Sequence, residues 1–378
     1  MNILGSIKQT AALNIKNIIG WKTNRKIVVF SVDDYGNVRL DSKQARDNMF
    51  AKGLKPTSRF DIYDTLETTG DLAALYDTLT SVKDKNDNPA VFTAFAMSAN
   101  IDFEKMKEAD YTTYYYEPLP VTFKKLRGYE NTWQLWQEGI QKKLMAPQFH
   151  GREHLNIKAL MEALKRKDTD ALNCFENRSY AAIADTGYAT ISFTAALDFF
   201  EFNENETLKE IVADGLNLFE KVYGLKAENF TPCGSNGYSD TIDVVLAAGG
   251  IKYIDTSRFK REHLGNGRMG SKIFNYTGKK NQLGQTYLVR NCVFEPTEDR
   301  GLDWVAFCMQ QITAAFRWHL PANISSHRVN FCGHIDPDNR QRGLKELKLL
   351  LAAIVQRWPD VEFMTSNELG NLITSVEQ

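Results

Sequence analysis

The sequence predicts an α/β fold on a mainly parallel sheet, closed or nearly closed into a (β/α) barrel of about seven or eight strands. Three observations carry that expectation. Short apolar runs rich in β-branched residues alternate with stretches of helical periodicity along the whole chain, which is the pattern of repeated β/α units. Two of those runs stop at titratable side chains, KIVVFSVDD at Asp33 and Asp34 and MAPQFH at His150, and parallel folds collect their chemistry at strand ends. No repeat, low-complexity tract or linker divides the 378 residues, so one elaborated domain accounts for them. The competing architecture is a doubly wound open sheet.

Taken in order, residues 1–25 read as an amphipathic helix, with Ile3, Leu4, Ile7, Ala11, Ile15, Ile18 and Ile19 near one stripe. It is expected to pack on its own domain, with contact to a membrane surface as the alternative. The barrel then occupies 26–378, with strands expected at 26–32, 90–97, 144–149, 188–193, 229–232, 252–255, 323–327 and 361–364. Helices are expected at 42–52, 154–167, 206–223, 239–248, 303–316 and 343–358. The segment around 100–141, with YTTYYYEPLP and then Trp133 and Trp136, reads as an insertion whose aromatics pack the loop onto its domain more readily than they touch a ligand. HRVNFCGHIDPDNRQRG, from His327, reads as a long polar loop.

Composition narrows the function classes. With 43% hydrophobic and 25% charged residues the chain can bury a sizeable core unaided. The formal net charge is -1 and the basic residues read as unclustered, which sets nucleic acid aside. Five cysteines, odd in number and without a CxxC pair, argue against a disulfide scaffold and a thiolate zinc site. Polar residues interrupt the N-terminal apolar stretch, and no segment reaches the roughly 20 apolar residues of a spanning helix, so a cytoplasmic protein is expected.

Asp33 and Asp34 cannot both ionise cheaply side by side unless a cation neutralises one of them. That is the physical reason to expect a metal there; the bland alternative is a capped Asp-Asp-Tyr-Gly turn. In HGREH, His150 and His154 are four residues apart, and a helix starting near His150 would put both imidazoles on one face. One carboxylate and two imidazoles make a three-ligand divalent site with a position left for water. The motif is not HExxH, because Gly151 follows the first histidine and the acid is Glu153. His327, closing NISSH, is the candidate proton donor, with His334 as its rival.

These residues resemble the motifs of NodB-like polysaccharide deacetylases. KIVVFSVDDYG is similar to the family's first motif, a strand ending in Phe-Asp-Asp-Gly; HGREH resembles its His-Ser/Thr-x-x-His; FTPCG from Phe230 resembles Arg-x-Pro-Tyr-Gly. YIDTSR from Tyr253 holds the place of the fourth motif and ISSHR that of the closing Leu-x-His, the order running from Lys26 to Leu369. DDYG also resembles the start of YdjC-like deacetylases. The resemblance implies a barrel of the polysaccharide deacetylase type and a divalent metal, Zn²⁺ first, on Asp34, His150 and His154. It further implies Asp33 as general base, His327 as general acid, and an oxyanion position at the backbone N–H of Cys233. Tyr35, Asp255, Arg328 and His334 complete the expected pocket, with Asp255 orienting His327.

The substrate class implied is an N-acylated carbohydrate. Thr231 and Cys233 depart from the third motif, so its arginine must come from elsewhere, and Arg328, Arg152 and Arg258 are the candidates. Glycoside cleavage, with Asp255, Asp336 or Glu153 as the second acid, and an inactive carbohydrate-binding barrel are the alternative functions.

Overall fold

The structure is a computed structural model that describes the chain except residues 1–10, 182, 184, 189, 235–236 and 376–378. Its centre is a parallel sheet. Strand β1 (Lys26–Tyr35) is buried along almost its whole length, as a strand covered on both faces must be, and its run of Ile, Val and Phe suits that position. On one side β1 pairs with β2 (Phe92–Met97); beyond β2 lie β5 (Met145–Gly151), β6 (Asn229–Phe230), β7 (Tyr253–Thr256) and β10 (Thr286–Val289). On the other side come β12 (Ala322–His327) and then β11 (Cys292–Val293), while β13 (Val361–Met364) pairs with the first half of β1.

The two ends of this sheet are one piece of chain. β10 pairs with β7 and β11 with β12, and the switch falls between adjacent residues. Arg290 N–H donates to Thr256 and Asn291 N–H to Asn323, each at 3.1 Å. A single bent strand therefore joins the edges, and the sheet closes as a distorted (β/α) barrel rather than a doubly wound open sheet. That strand, absent from the sequence expectation, places Arg290 at the mouth.

Most expected elements form near their predicted bounds. Residues 188–193 do not form the expected strand; the described ones are irregular. The expected loop after His327 is largely ordered: a 3₁₀ turn at Arg328–Phe331 leads into a helix at Pro337–Arg357, capped by the Asp336 carboxylate on Asp338 N–H. Gly343 lets this helix close on the turn, since a Cβ there would stand 1.8 Å from the Asn330 carbonyl oxygen.

The insertion holds a small antiparallel pair, β3 (Ala99–Ile101) and β4 (Tyr116–Pro118), and helices that pack on the barrel. Tyr111 and Tyr114 join a satellite core around Phe103 and Phe175, and Trp136 is fully buried. The N-terminal helix prediction falls mostly outside the described residues; 11–15 are helical and 16–20 turn. No helix among the described residues is long and apolar enough to cross a membrane.

Candidate active site

The site lies where the parallel strands end. At the close of β1, Val32 pairs with Ala94 and Tyr35 with Ala96, so Asp33 and Asp34 together stand opposite one residue of β2. This is a β-bulge, and Asp34 adopts a left-handed conformation (φ 75°) within it. Side chains of adjacent strand residues ordinarily point to opposite faces; the bulge turns both carboxylates to the barrel mouth. On the other flank the ladder sets Asp33 directly across from His327. The His327 Nε2 atom is 3.9 Å from Asp33 Oδ2.

His150 and His154 do converge, but not through a helix. Ala96 pairs with Phe149 and Met97 with Gly151, leaving His150 as the extra residue of a second bulge at the end of β5. His154 follows in the loop, and the helix begins only at Ile157, capped by Asn156. Arg152 and Glu153 pair with each other, and Arg152 also bonds Asp214 and stacks on Tyr116 at 4.1 Å. Those contacts anchor the loop, so His154 returns to the side of His150. Gly151 fits because a Cβ there would crowd Cys233 Sγ at 3.0 Å and the Glu153 carbonyl at 3.2 Å.

Asp34 Oδ1 lies 3.3 Å from His150 Nε2 and 3.1 Å from His154 Nε2, all three side chains being buried. His150 Nδ1–H donates to the Thr231 carbonyl at 2.8 Å, so in the neutral imidazole Nε2 carries a lone pair and no proton. A lone pair aimed at a carboxylate oxygen is favourable only if a proton or a cation lies between them. The two imidazoles and Asp34 therefore fit a divalent cation, with the Thr231 carbonyl as the outer partner of one ligand. Burial alone would raise Asp34, but its contacts with His150 and His154 hold it well below the usual carboxylate range. Cys233 Sγ is also close to both imidazoles. Its thiol donates to the His150 carbonyl at 2.9 Å, and burial next to Asp34 pushes it up, away from the thiolate.

Asp33 is held by a residue that the sequence reading missed. Arg290 donates from both terminal nitrogens to the two oxygens of Asp33, at 2.5 and 2.7 Å, and from Nε to Asp255. Burial works against ionisation of Asp33, yet Arg290 holds its carboxyl below the ordinary range. Asp255 is completely buried and also accepts from Ser31 at 2.9 Å and Asn323 at 3.1 Å. It supports Arg290 and does not orient His327, which corrects that expectation. None of Arg328, Arg152 and Arg258 takes the arginine's place.

His327 is oriented by Glu295, another unpredicted residue, whose Oε1 lies 2.6 Å from Nδ1. Arg59 and Asn330 hold the other oxygen of Glu295. Burial would lower the His327 pKa, but Glu295 outweighs it, helped by Asp34 and Asp33, and raises it to about 9. Replacing Glu295 with glutamine is expected to move the alkaline limb of the pH–rate profile from about 9 toward the ordinary histidine value, measured as kcat/KM against pH. Because the folded pKa is the higher one, the stability this histidine contributes is complete below about pH 6.5 and is lost as pH rises through about 9.

Three expected pocket residues sit elsewhere. Tyr35 packs edge-on against Trp136 in the main core. Arg328 is buried with Asp64 and Glu67 at 2.8 and 2.9 Å, and Glu67 in turn accepts the Gly36 N–H of the DDYG turn. His334 is exposed beside Tyr129.

No family model matches the sequence and no curated relative matches it. Among solved structures, the chain is similar to a Mycobacterium smegmatis protein described as a polysaccharide deacetylase, with 12% identity over 95% of this chain and 94% of that one and a TM-score of 0.46. A second structure so described, from Pseudomonas aeruginosa, gives 9% identity over 92% and 91% of the two chains and a TM-score of 0.44. PuuE allantoinase gives 10% identity over 93% and 91%, with a TM-score of 0.45. These are likenesses of fold, at identities that carry no activity across.

Proposed function

We propose that this protein is a metal-dependent hydrolase that removes an acyl group, an N-acetyl group first, from a carbohydrate. The observation that carries the reading is the division of labour between neighbouring carboxylates: Asp34 faces two imidazoles, while Asp33 faces an arginine and a protonatable histidine. Asp34, His150 and His154 would hold the cation, which when bound supplies Lewis acidity at the acyl carbonyl. Arg290 keeps Asp33 ionised and fixed in orientation, so Asp33 accepts a proton from the attacking water. His327, protonated at neutral pH under the influence of Glu295, gives a proton to the departing amine. The backbone N–H of Cys233 is the proposed oxyanion donor.

Glycoside cleavage needs a second free acid, and each candidate is engaged elsewhere. Asp255 supports Arg290, Glu153 pairs with Arg152, and Asp336 caps a helix. A barrel that only binds sugar would have no use for the His327–Glu295 pair beside Asp33.

The test is elemental analysis of unchelated protein together with acetate release from N-acetylated amino sugars. Asp34→Ala, His150→Ala and His154→Ala are each expected to lose tightly bound metal and acetate release together. Wild-type metal content in all three would remove the proposed ligand set, and release of new reducing ends without acetate would favour the glycosidase.

A further inference from the structure

Two stretches distant in sequence are strongly basic. Residues 1–32 contain five lysines and arginines and no acid; 257–283 contain seven and one acid, Glu262, in a chain totalling 46 basic and 47 acidic residues. The fold brings the described part of the first stretch against the second. Trp21 N–H donates to the Thr277 carbonyl at 2.7 Å, and a Cβ on Gly278 would lie 3.0 Å from that of Trp21. Arg258 lies close enough to Lys16 to add to the lowering of its pKa, which burial dominates. The fold thus brings Lys16 beside Arg258, while Lys260 is paired with Asp240 and Arg25 with Glu362.

The same stretches carry eight of the fourteen exposed large hydrophobic residues among those described, including Ile15, Ile18, Ile19, Phe259, Met269 and Phe274. The second stretch is a separate two-stranded hairpin of β8 (Phe259–His263) and β9 (Met269–Phe274), whose inner face packs on the domain through Lys260 and His263. On its outer face Phe259 pairs with Phe274, ring centroids 5.6 Å apart, and Arg261 stands directly across from Lys272. Like charges directly opposite each other in a sheet are unfavourable. Neither has a carboxylate partner among the described residues, so an external anion would relieve the pair.

We propose that this face docks on an anionic lipid membrane surface, with the hairpin phenylalanines and the N-terminal isoleucines entering the headgroup boundary and the surrounding cations meeting lipid phosphates. Charge decides against a symmetric dimer through the same patch, which would set two positive surfaces against each other. Protruding isoleucine and methionine decide against nucleic acid, whose backbone asks only for cations. Cations around an exposed apolar patch are what an interfacial site requires.

The test is flotation of the full chain with vesicles of equal parts phosphatidylglycerol and phosphatidylcholine, against vesicles of phosphatidylcholine alone. Binding is expected only to the anionic vesicles and should weaken as salt is added. Arg261→Glu with Lys272→Glu, and separately Phe259→Ser with Phe274→Ser, are each expected to lower partitioning about tenfold. Circular dichroism and acetate release from a soluble substrate should match wild type in both. Absent flotation, equal binding to neutral vesicles, unchanged binding in both folded variants, or tighter retention by duplex DNA at the same ionic strength would each overturn the proposal.

Discussion

Replacing Arg290 with methionine is expected to lower unfolding stability by about 3–5 kcal/mol and to reduce acetate release by at least about 10²-fold. The side chain lies between Asp33 and Asp255, and Asp255 has no exposed surface. Methionine fills similar volume but leaves two buried carboxylates facing each other without a cation, and breaking such a group strands its charges. In wild type, Asp33 has a depressed folded pKa, so its contribution is present above the unfolded value near 4 and disappears as pH falls through the folded one. In the variant the stranded carboxylates take up protons more readily than in the unfolded chain. The stability deficit should therefore shrink as pH is lowered from 7 toward 5. Urea unfolding at both pH values measures this. Arg290→Lys should recover only part of either loss, since an ammonium cannot bond both oxygens of Asp33 and also reach Asp255 as the planar fork does. If the methionine variant were as stable and active as wild type, the proposed support of Asp33 would fall.

How much of this was legible in the sequence depended on where each contact comes from. The strand ending in Asp33 and Asp34, the two histidines of HGREH and His327 could be read because each ends or follows a local apolar pattern. Their convergence follows from a parallel sheet, whose strands all end on one side. The two bulges could not be read, because a bulge is a property of the pairing with β2 and not of either strand. The helical geometry expected for His150 and His154 failed for that reason, although the pairing of imidazoles survived.

Arg290 and Glu295 were missed through an unassigned strand. Nothing was placed between residues 255 and 303, yet TYLVRNCV has the β-branched and aromatic content of a strand and bends to close the barrel. Eight strands had already been assigned, 188–193 wrongly among them, so the strand count gave no sign of the missing one. Arg328 was a candidate for the arginine absent from the third motif, but a 3₁₀ turn begins there and sends its side chain into the core.

The second large effect belongs to Asp33 alone. Asp33→Asn is expected to reduce acetate release by about 10²–10⁴-fold while metal content stays at the wild-type level. Asparagine keeps the shape and one acceptor oxygen for Arg290, but it cannot take a proton from water near neutral pH. The metal should stay because Asp34, not Asp33, faces His150 and His154. Stability should fall less than in the Arg290 variant, since Arg290 keeps its pairing with Asp255 and no buried carboxylate loses its cation. Whatever difference remains from wild type should shrink as pH falls below about 4, where the unfolded carboxyl begins to protonate, and should vanish only below the depressed folded pKa. Metal analysis and turnover of the same preparation decide between the roles. Loss of metal with Asp33→Asn would mean that the two aspartates share the cation, and full turnover with metal retained would leave the water without its proposed base.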